Sequence, residues 1–125
     1  MTIKDYDVAN PPSPEDWLAM DEGARIEAVR EAHERTRSPT GQNAIAHATI
    51  HVIVESRLAE GHTAVVSAYD RFRAAGIDRH TTIHALASVV TRHIMAVLEQ
   101  QAAFDQDAAD RDFETLDPAA FRRKR

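Results

Sequence analysis

Two clusters of histidine share one spacing in this chain. His47-Ala-Thr-Ile-His51-Val-Ile-Val-Glu55 carries two imidazoles and a carboxylate at four-residue steps, and His80-Thr-Thr-Ile-His84 repeats the step further on. On an α-helix a four-residue step rises about 6 Å and overshoots a full turn by about 40°, so each cluster projects its side chains from one face. Burying four imidazoles and a carboxylate separately would impose a desolvation penalty of a few kcal/mol on each, whereas one shared metal site satisfies them together. The chemistry these residues predict is metal binding between helices.

The spacing also limits how the site is built. His47, His51 and Glu55 span about 12 Å along a helix axis and drift about 80° around it, while a metal–nitrogen bond is about 2.1 Å. All three are therefore not expected on one ion: either two metals share the stripe, or an end residue stands behind a ligand. His33 lies four residues after Val29 on the preceding helix and is expected to complete a metal set of His33, His47, His51, Glu55, His80 and His84. Five imidazoles and one carboxylate suit a non-haem centre, with iron, mononuclear or dinuclear, favoured by the ligand count and zinc as the alternative. Glu55 is the natural bridging carboxylate. It is equally placed to act as the catalytic base toward a metal-bound water or to orient His51 or His84, and its plainest alternative is a salt bridge to Arg57 or Arg79. His93, nine residues after His84, falls about 180° round the helix and is expected to face away; His62 is expected to cap a helix or meet solvent. Ser88 and Thr91 follow His84 at helical spacing and are expected beside the metal.

The elements that must hold these residues read as helices. Residues 1–12, ending Asn10-Pro11-Pro12, predict an extended arm. Ser13 as N-cap and Pro14 at the first helical position open helix one, where Trp17, Leu18, Ile26 and Val29 recur to about Thr36, with Gly23 a weak point at which the helix can split. Ser38-Pro39-Thr40-Gly41 breaks the chain, and nothing interrupts residues 42–60, whose Ile45, Ile50, Val52, Ile53, Val54 and Leu58 surround the histidine stripe. Gly61 and Gly76 predict C-caps on either side of helix three, with Val65, Val66, Tyr69 and Phe72 inward. Asp78 caps helix four, whose apolar face runs through Ile83, Leu86, Val90, Ile94, Val97 and Leu98 to about Ala103. The acidic stretch 105–114 is weakly amphipathic and Asp117-Pro118 opens one last turn, with Phe104, Phe113, Leu116 and Phe121 apolar enough to fold back. The predicted fold is all-α: one domain over 1–125, with an arm at 1–12, a compact four-helix bundle at 13–104 and a helical tail at 105–125.

Composition removes several classes of function. There is no cysteine, so thiolate metal sites, disulfides and cysteine nucleophiles are excluded and any metal must take nitrogen and oxygen ligands. A net charge of −5 argues against a nucleic-acid partner, and the basic run 122–125 reads as a solvated tail. The N-terminus lacks the apolar run of a signal peptide and no stretch offers about 18 uninterrupted apolar residues, so a cytoplasmic protein with no membrane partner is expected. No nucleophile elbow, phosphate loop or dinucleotide fingerprint is present.

Asp16-Trp17-Leu18, Arg25-Ile26, His33, His47xxxHis51xxxGlu55 and Gly76-Ile-Asp-Arg79-His80xxxHis84 together resemble a family of short bacterial proteins of unknown function, over most of the chain. The tail departs from it, since a tryptophan or another large aromatic is expected where Phe121 stands. A looser resemblance is to hemerythrins, four-helix bundles with a di-iron centre held by a lone His, an HxxxE, an HxxxH and an HxxxxD. His33, His51xxxGlu55 and His80xxxHis84 match the first three in order, and the fourth is missing. That likeness implies iron, and O2 as its ligand. The expected function is a His-rich metalloenzyme using non-haem iron or zinc for O2 activation or metal-assisted hydrolysis of a small molecule, with a homodimer allowed. The alternatives are non-catalytic metal or O2 binding and a structural metal in a helical interaction module.

Overall fold

The structure is a computed structural model that describes residues 6, 7, 9–36 and 44–121. Among them every regular element is helical. These are α1 (Pro14–Ala19), α2 (Glu22–Thr36), α3 (Ala44–Ala59), α4 (Thr63–Ala74), α5 (Arg79–Gln100) and α6 (Gln106–Thr115), followed by a 3₁₀ turn at Pro118–Phe121. The all-α expectation holds. The expected break at 38–41, the start of the arm and the basic run 122–125 lie outside the described residues.

Helix number differs from the sequence reading at both ends. The first predicted helix is two, and the split falls at Met20, whose backbone is extended, rather than at Gly23. Asp21 then restarts the chain by accepting from the Ala24 amide at 2.8 Å. Arg25 closes α1 from outside: Nε donates to the Trp17 carbonyl, which also accepts from the Met20 amide, at 2.9 Å and a terminal nitrogen to the Leu18 carbonyl at 3.1 Å, so one guanidinium braces two C-terminal carbonyls of a six-residue helix. At the other end the acidic stretch is a ten-residue helix, capped by Asp105 onto the Ala108 amide.

Ser13 precedes α1 as expected, without a capping hydrogen bond from its side chain, and the later predicted helix ends are present. Gly61 and Gly76 take positive φ values of 73° and 84°, and the amides following them reach back to Arg57 O and Phe72 O, ending α3 and α4 in the left-handed turn that favours glycine. Asp78 caps α5 by accepting from Thr81 N.

α3 lies at the centre, packed against α1, α2, α4 and α5, and α6 covers α4 and α5. Trp17, Val29, Val52, Val54, Val65, Ile83, Leu86 and Val89 form the core with the arm's Tyr6. Four residues expected to pack inward do not: Leu18, Ile45, Leu98 and Phe104 are exposed. For Leu98 the cause is length. The 22 residues of α5 run about 33 Å, whereas the 16 of α3 run about 24 Å, so the last turns of α5 outrun their neighbours. By length and composition α5 could cross a membrane; here it is packed against α3, α4 and α6 and carries Arg79, His80, His84, Arg92 and His93.

Candidate metal centre

α2, α3 and α5 bring the predicted histidines together. His33 from α2, His47 and His51 from α3, and His84 from α5 each offer a ring nitrogen, and these four nitrogens lie within 4.8 Å of one another. His33 and His51 are buried; His47 and His84 are half-buried. His80 stands at the margin, its Nε2 3.1 Å from His84 Nε2 and its ring centroid 5.8 Å from that of His33. His47 Nε2 is 3.2 Å from His33 Nε2. Two nitrogens bound to one ion at about 2.1 Å stand about 3.4 Å apart in a tetrahedron and about 3.0 Å apart on an octahedral edge, so both contacts have the length of a coordination edge.

Proton bookkeeping shows which nitrogens are bare. His33 Nδ1 lies 2.9 Å from the Val29 carbonyl, which can only accept, so Nδ1 carries an N–H and Nε2 is the nitrogen of that ring turned to the cluster. His51 is set by a residue of the arm. The Tyr6 hydroxyl donates to Glu55 Oε2, and His51 Nε2 lies 2.9 Å from the same hydroxyl oxygen. Tyr6 has one proton and has given it to the carboxylate, so His51 Nε2 must donate. Nδ1 is then a bare acceptor, and it is the one buried side-chain nitrogen or oxygen among the described residues without a hydrogen-bond partner. An unmet buried acceptor costs about 1–3 kcal/mol, and a metal ion is the ligand that three neighbouring imidazoles can share with it.

Electrostatics favour the ligand form. Burial, then the neighbouring imidazoles, holds His51 well below the usual histidine range and pushes His84 down to about 4. His47 is lowered by burial and then by His33 and His80, and His80 by burial and then His33, against a small opposing effect of Asp78. At neutral pH these rings are uncharged and able to donate to a metal.

Glu55 differs from its expected role. It is buried, and Arg79 grips it with two 2.7 Å hydrogen bonds, one to each carboxylate oxygen, while Tyr6 donates to Oε2. With both oxygens held by these partners, the carboxylate stands behind Tyr6 and His51 and outside the group of converging ring nitrogens. The expected end residue of the 12 Å stripe is thus the outer one, and the salt bridge to Arg79 weighed as its alternative is the one that forms, while Arg57 faces Glu60. Arg79 is fixed in turn by donating to the Tyr69 hydroxyl at 3.0 Å and lying over its ring.

Tyr6 is the residue that sequence reasoning missed. It carries no periodic signal in its arm, and its long-range contacts place it: with Trp17, at 5.5 Å between centroids, with His51 and with Glu55. Trp17 is pinned by donating from Nε1 to Ser56 Oγ at 3.1 Å. His93 and His62 lie away from the cluster as expected. They pair with Asp112 at 2.6 Å and Asp110 at 2.9 Å, clamping α6 to the bundle.

The centre opens on a groove of about 970 Å³ between α3 and α5, with His47, His51 and His84 in its wall. Ile50, Ala87, Ile94, Met95 and Leu98 make the wall apolar, and the expected Ser88 and Thr91 line it too, their hydroxyls turned to the Ala85 and Ala87 carbonyls.

No protein-family model matches this chain, and neither a curated protein nor a solved structure is detectably similar to it. The geometry of the cluster therefore carries the functional reading.

Proposed function

We propose that this chain is a small metalloenzyme holding one metal ion, non-haem iron or zinc, among His33, His47, His51 and His84, with His80 as a further ligand. The observation that carries the reading is the buried Nδ1 of His51, without a hydrogen-bond partner, on a ring that belongs to a cluster of four imidazoles whose ligand nitrogens lie within 4.8 Å of one another. Four donor atoms within 4.8 Å suit a single ion. With Glu55 held by Arg79, the carboxylate bridge of a dinuclear iron site is missing, which departs from the hemerythrin pattern.

The groove favours catalysis over a closed structural metal, because half-buried His47 and His84 give a small molecule or O2 a path to the centre. A bound ion would supply Lewis acidity and an activated water, or with iron a place for O2. The chain's own contribution is to hold neutral imidazoles in place, to keep the buried sides of His33 and His51 dry, and to line the approach with apolar side chains.

Elemental analysis of protein purified without added metal, together with its absorption spectrum, tests the proposal. It predicts close to one ion per chain, coloured if iron and silent if zinc, and loss of that ion on His51→Ala. Absence of any bound or bindable metal would overturn it. A bound metal that stays inert to O2, to small chelators and to exogenous ligands would reduce it to a structural ion.

A further inference from the structure

The cluster behind His51 has a role that the ligand set alone does not explain. Tyr6, Glu55 and Arg79 are a phenol, a carboxylate and a guanidinium, all buried, and they meet beneath one ring nitrogen. Arg79 has its own anchor in Tyr69, and Glu55 is held on both oxygens, so the acceptor that Tyr6 donates to is fixed in position. Tyr6 then has a single orientation for its proton, toward Glu55, and presents an oxygen lone pair to His51 Nε2 at 2.9 Å.

We propose that Tyr6 is a positioning residue for the metal centre: by accepting from His51 Nε2 it commits that ring to ligate through Nδ1, so that loading the site requires the N-terminal arm to be docked. The inference rests on the metal reading above. A free imidazole exchanges its proton between the two nitrogens, and a ring with Nδ1 protonated has no lone pair to offer there. Outer partners that fix the tautomer of a metal-bound histidine commonly change affinity by 10–100-fold when removed. The arm also brings the oxygen from far along the chain: Tyr6 and His51 are 45 residues apart, and the packing of Tyr6 on Trp17 and of Trp17 on Ser56 holds the hydroxyl in register.

Two measurements test this separately from the metal reading. Long-range 1H–15N spectra of the metal-free wild-type protein report which nitrogen of His51 is protonated. The expected pattern is Nε2–H; a protonated Nδ1 overturns the proposal whether or not metal ever binds. Titration with Zn2+ and Co2+ then compares wild type with Tyr6→Phe, which keeps the ring on Trp17 and removes the hydroxyl. The expected result is a 10–100-fold weaker affinity, with His51 redistributed between tautomers in the metal-free variant. Equal affinity and an unchanged Nε2–H overturn the role of Tyr6. If Tyr6→Phe does not fold, His51→Asn and His51→Gln replace it: an amide at the Nδ1 position should retain more Co2+ affinity than one at the Nε2 position, and the reverse order overturns the assignment. Wild-type protein that binds neither ion defeats the metal reading and leaves the tautomer to be decided by the spectra.

Discussion

Replacing Arg79 by methionine should unfold this protein more readily than any exposed charge change, and the reason is the carboxylate left behind. Glu55 and Arg79 have relative exposures of 1% and 3%, and two 2.7 Å hydrogen bonds join them in a fork. Arg79→Met fills a similar volume but leaves a carboxylate in the core with only the Tyr6 hydroxyl to solvate it. Breaking one side of a buried pair costs about 3–5 kcal/mol, most of it the uncompensated charge. Against the about 5–15 kcal/mol that holds a domain of this size, that is a large fraction. With a urea slope of about 2 kcal/mol/M it lowers the unfolding midpoint by about 2 M. The double variant Glu55→Gln/Arg79→Met removes both charges, and the amide still accepts from Tyr6, so it should be more stable than Arg79→Met alone. The assay is urea unfolding followed by circular dichroism for wild type, both single variants and the double. A loss below about 1 kcal/mol in Arg79→Met, or a double variant as unstable as the two single losses added, would refute the reasoning.

Other consequences can be checked with the same protein. Zn2+ at about a hundredfold excess over its dissociation constant should add about 2.7 kcal/mol, which raises Tm by on the order of 10 °C, and an unmoved melting curve would count against the site. The metal-free protein should lose stability as pH falls from 6.5 to about 4. His84 titrates at about 4 when folded and near 6.5 when unfolded, so in that window only the unfolded chain takes up the proton; urea midpoints that are equal at pH 7.5 and 4.5 would contradict this. Thr91→Phe, at an exposed position in the groove wall, should slow removal of the metal by a small chelator severalfold and leave the equilibrium affinity unchanged; unaltered release would mean that the ion leaves by another path. Trp17 is the single tryptophan and is fully buried against Tyr6, so deletion of residues 1–10 should shift its emission to the red, and an identical spectrum would mean the arm does not cover it.

The sequence by itself determined that the protein is all-α and that α3 and α5 carry the histidine stripes, and it offered His33 as a candidate to join them. These follow from local periodicity: a four-residue step keeps side chains on one helix face, and Gly61, Gly76 and Asp78 mark ends through backbone conformations and caps that a few neighbouring residues decide. The same local rule placed His93 away from the site. What only tertiary structure decided concerns partners distant in the chain. Glu55 has the same four-residue relation to His51 that His51 has to His47, so periodicity could not separate ligand from outer residue. Arg79, 24 positions away on α5, made the separation by claiming both oxygens. Tyr6 comes from an arm with no period at all, and its proton fixes the bare nitrogen of His51 from 45 residues off. Repeats along a helix are written in the sequence; which of two buried polar groups reaches a charge first depends on how the helices cross, and that is settled only when they pack.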